Sequence, residues 1–302
     1  MLYPASQRVT YLYYLGRFYF SNNHFYRAQQ CLQESYRQCH RLATSQRRQI
    51  LIYLFTVNTI LGRFLGPSFI TRTEAQDLLP RFIPIQNAIK TGNLAAFKYA
   101  LGNAAGHQKW FFDKGILLPL LYRAEPLVWR SLARRTFLLT YIPNPASPAA
   151  PTLTFESLLL AAQLCQRILE AWSRLTPDSE SLFISEAGLV APTHPLRLDP
   201  CEGTVCGNTS PDLREIEAVL SSLVQQGLMH GWIAHSSKMF AIQGAKKGGP
   251  GIGWPDPWKV MSTKAEAREG GKVTGWVKEP NRGGAGGIVN LTGIARAVGT
   301  GG

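Results

Sequence analysis

The sequence predicts a mainly α-helical chain in which stacked helical repeats are followed by a helix that runs into a short β-hairpin. Apolar positions recur at helical spacing through the first 142 residues, and a helix-to-hairpin pattern occupies residues 213–243. The 302 residues are 45% hydrophobic and 11% aromatic, which excludes a wholly disordered chain. No apolar run is long enough to cross a bilayer, so we expect no membrane insertion.

The first two predicted helices form a hairpin. Residues 11–20 are an aromatic helix, residues 21–23 are a turn, and a helical apolar stripe begins at Phe25. Small and aromatic residues are spaced as in tetratricopeptide-type hairpins, with Gly16 and Tyr19 on the first helix and Ala28 and Leu32 on the second. The pattern predicts TPR-like helical repeats.

Further helices are predicted as far as residue 142, the end of the helical-repeat part. The predicted spans are 45–61, 73–80, 85–91, 93–104, 107–122 and 125–141, with breaks at Gly92-Asn93, Gly102-Asn103 and Gly106. Four prolines in residues 143–151 predict a stiff linker over 143–152.

The second part, 153–243, is predicted to begin with a helix over 155–169, followed by an acidic, proline-rich insertion over about 170–209. Ser210 is a candidate N-cap with Pro211 at the first helical position, and Gly227 ends the helix. Two strands, 229–235 and 239–243, follow with a turn between them. A helix that leads into a β-hairpin is half of a winged helix.

The remaining residues, 244–302, form a Gly/Lys-rich tail with sixteen of the 28 glycines in 241–302. We expect no separate core in this tail. Its tryptophans, Trp254, Trp258 and Trp276, either belong to a linker or dock on the domain or on a partner.

No motif for catalysis or cofactor binding is found. The glycine-rich stretches near Lys272 and over 283–287 miss the spacing of phosphate-binding loops, and the spacing of His194, Cys201 and Cys206 is too irregular for a zinc site. We therefore expect no enzyme, no cofactor and no metal. Five scattered cysteines make no disulfide framework, so we expect a reducing compartment.

The charge is unevenly distributed. Residues 1–140 hold 18 Lys and Arg against 5 Asp and Glu, residues 141–240 hold 5 against 10, and residues 241–302 hold 9 against 4. The basic first part is either solvated surface or a site for an anionic partner, which is a nucleic acid or an acidic protein.

The order of several motifs resembles the PCI-domain family, whose members combine helical repeats with a winged helix. The similar residues are Tyr13–Phe20, Asn22-Asn23, Phe25, Cys39–Arg41, Arg48–Leu54, Gly92–Leu94, Trp110–Phe112, Gly115, Arg130–Arg135, Leu223-Val224, Gly227, Gly231–Ile233 and His235. The similar region covers about residues 10–243. Within the family, the chain looks like the fungal type of the branch with the PCI subunit of the TREX-two mRNA-export complex and its signalosome-associated paralogue.

The resemblance implies a winged-helix (PCI) module and a nuclear, pore-associated protein. It implies a Sac/GANP-type scaffold subunit and a Sem/Dss-type small acidic subunit as partners, together with RNA or DNA. Three departures stand out: the chain begins part-way through the family's helical repeats, Thr56 replaces a usual proline, and the 170–209 insertion has no counterpart.

Two functional hypotheses follow. The first is a non-catalytic scaffold that binds nucleic acid, with candidate phosphate contacts at Arg130, Arg134, Arg135, Lys238, Lys246 and Lys247. The second is a purely protein-binding subunit of a signalosome-like assembly. The candidate partner-binding residues are Leu223, Trp232 and Ile233. Because residues 141–240 are net acidic, a nucleic-acid site needs positive charge from outside the winged helix.

Overall fold

The computed structural model describes residues 4–66, 69, 71–102, 105–142, 150–174, 189–194, 196–244 and 252–269. The helices are α1 (Ala5–Ser21), α2 (Phe25–Gln38), α3 (Thr44–Ile60), α4 (Leu79–Thr91), α5 (Leu94–Leu101), α6 (Gln108–Asp113), α7 (Leu117–Thr140), α8 (Phe155–Leu169), α9 (Leu213–Gln225) and α10 (Pro257–Glu269). The strands are β1 (Thr152–Thr154), β2 (Ser173–Arg174), β3 (Leu189–Val190), β4 (Gly231–Ala234) and β5 (Met239–Ile242). The mainly α fold with a short β-hairpin confirms the predicted fold class.

The first helical hairpin packs as closely as its small residues predict. A β-carbon at Gly16 would lie 2.7 Å from Cγ of Leu32, so only glycine lets α1 approach α2 at this point. Helix α3 is buried on nearly every side from Ile50 to Ile60. Its Thr56 donates a hydrogen bond from Oγ1 to the carbonyl of Ile52 at 2.8 Å, so the helix continues through this buried polar residue.

Several predicted helix boundaries are wrong: the helix predicted over 107–122 is divided into α6 and α7, and two further boundaries lie beside a proline. Helix α4 continues through Pro84, and α7 runs without a break through Pro126, where the sequence predicted an interruption. A proline inside a helix costs about 3 kcal/mol. In α7 the buried positions continue on both sides of Pro126, from Leu117 to Phe137, and this packing outweighs the lost hydrogen bond.

The second part is a small sheet covered by α8 and α9. The strand order is β1-β5-β4, all antiparallel, and β1 is a third strand that the sequence did not predict. Helix α8 has its predicted bounds, but α9 begins after Asp212 rather than Ser210. Asp212 accepts from the Glu215 backbone N–H, and Glu215 accepts from that of Asp212, so the two residues form a capping box.

Part of the predicted insertion is held firmly against α8. The buried Gln166 accepts from the backbone N–H of Thr204 at 2.9 Å and donates to the carbonyl of Gly207 at 2.8 Å. Residues 175–188 and Pro195 of the insertion, 143–149 of the linker, and 245–251 and 270–302 of the tail lie outside the described residues.

The first part of the tail joins the domain. Trp254 is 6% exposed and packs in the core near Phe137, and α10 follows it. The Trp258 ring lies against Tyr26 of α2 and beneath the guanidinium of Arg63. The hydrophobic core therefore runs without interruption from α1 to the sheet and includes Trp254. Within the described part of the chain, no helix is long and apolar enough to span a membrane.

Candidate nucleic-acid interface

A groove of about 520 Å³ lies between the C-terminal end of α4 and the second half of α7; we call it the basic groove. It is lined by Gly62, Phe64, Ile89, Lys90, Thr91, Leu127, Arg130, Ser131, Arg134, Arg135, Leu138, Asp256 and Pro257. Four of these residues are cations, and Asp256 is the one acidic side chain among the described lining residues. The groove therefore offers a concentrated positive charge to an anion.

Helix α7 supplies most of the charge because its lining residues recur at helical spacing. Arg134 and Arg135 are exposed, and Nη1 of Arg135 donates to the carbonyl of Thr91 at 3.3 Å. The opposite wall supplies Lys90, whose Nζ lies 5.0 Å from the centroid of the Phe64 ring. A cation above an aromatic face is attracted by the ring quadrupole, so Phe64 helps to place the ammonium group.

Gly92 sets the width of this groove. It ends α4 with a φ of +70°, the left-handed conformation that glycine adopts without strain. A β-carbon here would lie 2.4 Å from the backbone nitrogen of Leu132, in the middle of α7. The absence of a side chain therefore allows α4 and α7 to converge, with Lys90 and Arg135 on facing walls.

Arg130 is engaged inside the protein. Its Nε donates to the carbonyl of Leu228 at 3.2 Å, and its Nη2 donates to the carbonyls of Trp254 at 3.1 Å and Pro255 at 2.7 Å. Burial lowers the pKa of Arg130, and the neighbouring Arg134 charge lowers it further, to about 10. The guanidinium remains charged at neutral pH, but its donors are committed, so Arg130 holds the tail rather than facing a ligand.

The remaining cation candidates are not brought into the basic groove. Lys238 lies exposed in the β4–β5 turn, with a φ of +52°, and is not among the lining residues. The opposite end of the hairpin lies beside the segment that Arg130 holds, because the backbone N–H of His230 donates to the Gly253 carbonyl at 2.9 Å. Four-residue strands place the turn about 13 Å further on. Lys246 and Lys247 lie outside the described residues.

The three candidate partner-binding residues differ in accessibility. Leu223 is 1% exposed and lies in the core, so it cannot reach a partner while the domain is folded. The prediction of Leu223 as a partner-binding residue is therefore wrong, and it is a core residue. Ile233 is partly buried against the core. Trp232 is 56% exposed on β4, which is an edge strand of the sheet.

The groove residue that sequence reasoning missed is Lys90. It lies in the last turn of α4, two residues before the Gly92-Asn93 break, but nothing local indicates that this turn faces α7. The basic composition of residues 1–140 was the available signal, and it did not single out one lysine.

Comparison with known proteins identifies relatives over most of the chain. A PCI domain-containing protein of Schizosaccharomyces pombe is 29% identical over 238 residues, which are 79% of this chain and 43% of that protein. PCI domain-containing protein 2 of Danio rerio is 32% identical over 137 residues, covering 45% of this chain and 32% of that protein. The similarity supports a PCI-domain protein.

A further relative carries a different name. The CSN12 homolog of Mycosarcoma maydis is 28% identical over 241 residues, 80% of this chain and 44% of that protein. No protein-family model matches the chain. In these three cases the chain spans less than half the length of the curated relative it matches.

Proposed function

We propose that the chain is a non-catalytic scaffold subunit of a transcription-coupled mRNA-export complex at the nuclear pore, and that it binds RNA or DNA through the basic groove. The observation that carries the proposal is the convergence of Lys90, Arg134 and Arg135 from two helices on one groove. PCI-type relatives support the scaffold role, and the groove supports the nucleic-acid role.

The chemistry of the groove suits a phosphate backbone. Arg134 and Arg135 are exposed, and the planar guanidinium donates in pairs to phosphate oxygens. None of the described lining residues comes from the acidic segment 141–240, so the acidic composition of that segment does not oppose binding there. Such contacts fix the position of a nucleic acid without selecting its sequence. We propose additional phosphate contacts from Lys238, Lys246 and Lys247. Lys238 lies about 13 Å from the end of the β4–β5 hairpin that adjoins Gly253.

The test is a salt titration of RNA binding. We expect the double variant Arg134→Ala/Arg135→Ala to weaken binding of a short fluorescent RNA, and each lost phosphate contact to reduce the slope of log K against log salt by about 0.7. Lys90→Ala is expected to act in the same direction. The readout is fluorescence anisotropy at several salt concentrations.

The matched control removes two arginines from another surface. Arg37 and Arg41 are exposed and lie shortly before α3 begins. Gly62, which lines the basic groove, lies just after α3 ends. The helix is 17 residues long, which separates the two surfaces by about 25 Å. The Arg37→Ala/Arg41→Ala variant is expected to keep its affinity and slope. Equal losses in both double variants would show that general positive charge, rather than the basic groove, binds RNA.

The partners are also proposals. A Sac/GANP-type scaffold subunit and a Sem/Dss-type small acidic subunit are the expected neighbours in such a complex. Co-purification of the chain with candidates of both types, followed by RNA binding of the assembled complex, tests the assignment. Failure to assemble with either would argue against the export complex.

A second candidate function is a protein-interaction subunit of a COP-nine-signalosome-like assembly without nucleic-acid binding. The observation that favours it is the edge strand β4, which exposes Trp232 and has no neighbouring strand on its outer side among the described residues. Under this alternative, Trp232→Ala weakens recovery of a signalosome subunit, while RNA binding is absent even at low salt.

A further inference from the structure

A second groove begins where the basic groove ends. It has a volume of about 510 Å³ and runs between α4 and α5; we call it the α4–α5 groove. It is lined by Pro80, Arg81, Pro84, Asn87, Ala88, Thr91, Ala96, Tyr99, Ala100, Ala105 and His107. Thr91 lines both grooves, so the two meet at the C-terminal end of α4.

The two grooves differ in chemistry. The basic groove carries four cations, whereas Arg81 is the one Lys or Arg among the described lining residues of the α4–α5 groove. Small side chains, Ala88, Ala96 and Ala100, leave room beside Tyr99. Tyr99 is 57% exposed, and it is the large aromatic ring in this lining. The second groove therefore offers a flat aromatic surface and far less positive charge than the basic groove.

Arg81 and Asn87 are two of the polar side chains that line the α4–α5 groove. The guanidinium of Arg81 lies 4.8 Å from the Trp110 ring centroid and donates from Nη1 to the carbonyl of Asp77. Its buried Nε has no hydrogen-bond partner among the described residues. Asn87 is exposed and carries both a donor and an acceptor, as the edge of a base requires.

We propose that the two grooves form one path for a single-stranded nucleic acid, with phosphates held in the basic groove and a base stacked on Tyr99 in the α4–α5 groove. The inference rests on the proposed nucleic-acid binding and adds the class of ligand. The part of α4 from Pro80 to Thr91 extends the path by about 16 Å. A base in a duplex is stacked on its neighbours, so Tyr99 selects an unpaired strand.

The distribution of charge favours a nucleic acid over an acidic peptide. A peptide rich in Asp and Glu gains most from cations along its whole length, and the α4–α5 groove offers few. A single strand instead alternates anionic phosphates with neutral aromatic bases. A cationic groove that continues into an aromatic groove with a single Lys or Arg, Arg81, matches that alternation.

The experiment measures binding of the full chain to a short single-stranded RNA and to the same RNA annealed to its complement. We expect Tyr99→Ala to weaken single-strand binding about 5- to 150-fold, as expected for loss of one base stack, with the salt slope unchanged. Tyr99→Phe keeps the ring and is expected to bind as the parent chain does. Duplex binding is expected to be insensitive to Tyr99→Ala.

Tyr14 provides a matched control. It is 61% exposed on α1, which lines neither groove, so Tyr14→Ala is expected to leave RNA binding unchanged. Circular dichroism of each variant confirms that the fold is retained.

The outcomes separate this inference from the proposed function. If Tyr99→Ala binds normally while Arg134→Ala/Arg135→Ala fails, the basic groove binds nucleic acid and the stacking path is wrong. If neither variant changes binding, both proposals fail. If a glutamate-rich peptide binds the chain and Tyr99→Ala weakens only that binding, the α4–α5 groove is a peptide site and the inference is overturned.

Discussion

Gly92 at the end of α4 lies against the backbone of Leu132 in α7, where a β-carbon would be 2.4 Å from the Leu132 nitrogen and 2.6 Å from its Cα. The contact is backbone against backbone, so no side-chain rotation relieves it. It joins the two helices that line the basic groove. The stability of the fold and the geometry of the site therefore depend on the same glycine.

Replacement of Gly92 by alanine is expected to destabilise the protein and to widen the basic groove. The left-handed φ costs about 1–3 kcal/mol for a residue with a side chain, and the forced separation of α4 from α7 adds about 1–3 kcal/mol. Denaturant unfolding measures the loss, and RNA binding of the folded fraction measures the effect on the groove.

Gly115 supplies the control, because it has a φ of +67° and a β-carbon at this position would meet no described atom within 4 Å. Gly115→Ala carries the conformational cost without the steric contact. If the two alanine variants lose the same stability, the close approach of α4 to α7 contributes nothing.

Arg130 fastens the tail to α7, and its removal is expected to release residues 252–258. Arg130→Ala leaves the carbonyls of Leu228, Trp254 and Pro255 without their donor, at a cost of about 2–4 kcal/mol. Arg130→Lys is expected to restore little of the lost stability, because one ammonium group does not reproduce the planar arrangement of guanidinium N–H donors. Limited proteolysis and the fluorescence of Trp254 report the release.

Arg134, one turn further along α7, is the matched control for this prediction. It is exposed, so Arg134→Ala is expected to leave the melting temperature and the protease pattern unchanged while weakening RNA binding. Equal protease sensitivity in the two variants would show that Arg130 does not hold the tail against α7.

The sequence predicts best where the determining interactions are local. Helix α8 has its predicted bounds because its N-cap, Thr154, and its apolar stripe lie within the segment itself. Helix α9 carries two local start signals. Ser210 followed by Pro211 predicts one start, but the helix begins after Asp212, where Asp212 and Glu215 form a capping box.

Features set by long-range packing were missed. Nothing near Pro126 indicates that its helix continues, because the compensation comes from the elements that α7 buries. Strand β1 is three residues long and exists through its pairing with β5. Trp254 enters the core, and Lys90 faces α7, through contacts with distant segments. Arg130, Arg134 and Arg135 were candidates from the sequence, but the structure was needed to show that Arg130 is partly buried and bonded to the tail while Arg134 and Arg135 are exposed.

Glu74 is predicted to make the protein sensitive to acid. Its carboxylate accepts from the Tyr36 hydroxyl at 2.8 Å and from Nε of Arg47 at 2.9 Å. Burial alone raises the pKa of Glu74, but hydrogen bonds from its own backbone N–H, Tyr36 and Arg47 outweigh burial and lower the pKa to about 2.

A carboxyl group whose pKa is lowered by folding stabilises the native state above its ordinary pKa, and that contribution disappears as the pH falls through the native value. Between about pH 4.5 and 2, the unfolded chain binds up to one more proton at Glu74 than the native chain does. The free energy of unfolding is therefore expected to fall by up to about 1.4 kcal/mol per pH unit from this group alone.

Glu74→Gln tests this directly. At neutral pH the variant is expected to be less stable, because Arg47 keeps its charge at a buried position without a carboxylate partner. As the pH falls from about 4.5 towards 2, the difference between the variant and the parent chain is expected to shrink. Glu34→Gln is the control, since Glu34 is bonded to Arg37 and Gln38 on a more exposed surface of α2. A stability difference for Glu74→Gln that stays constant from neutral pH to pH 2 would show that the carboxylate titrates alike in the folded and unfolded chains.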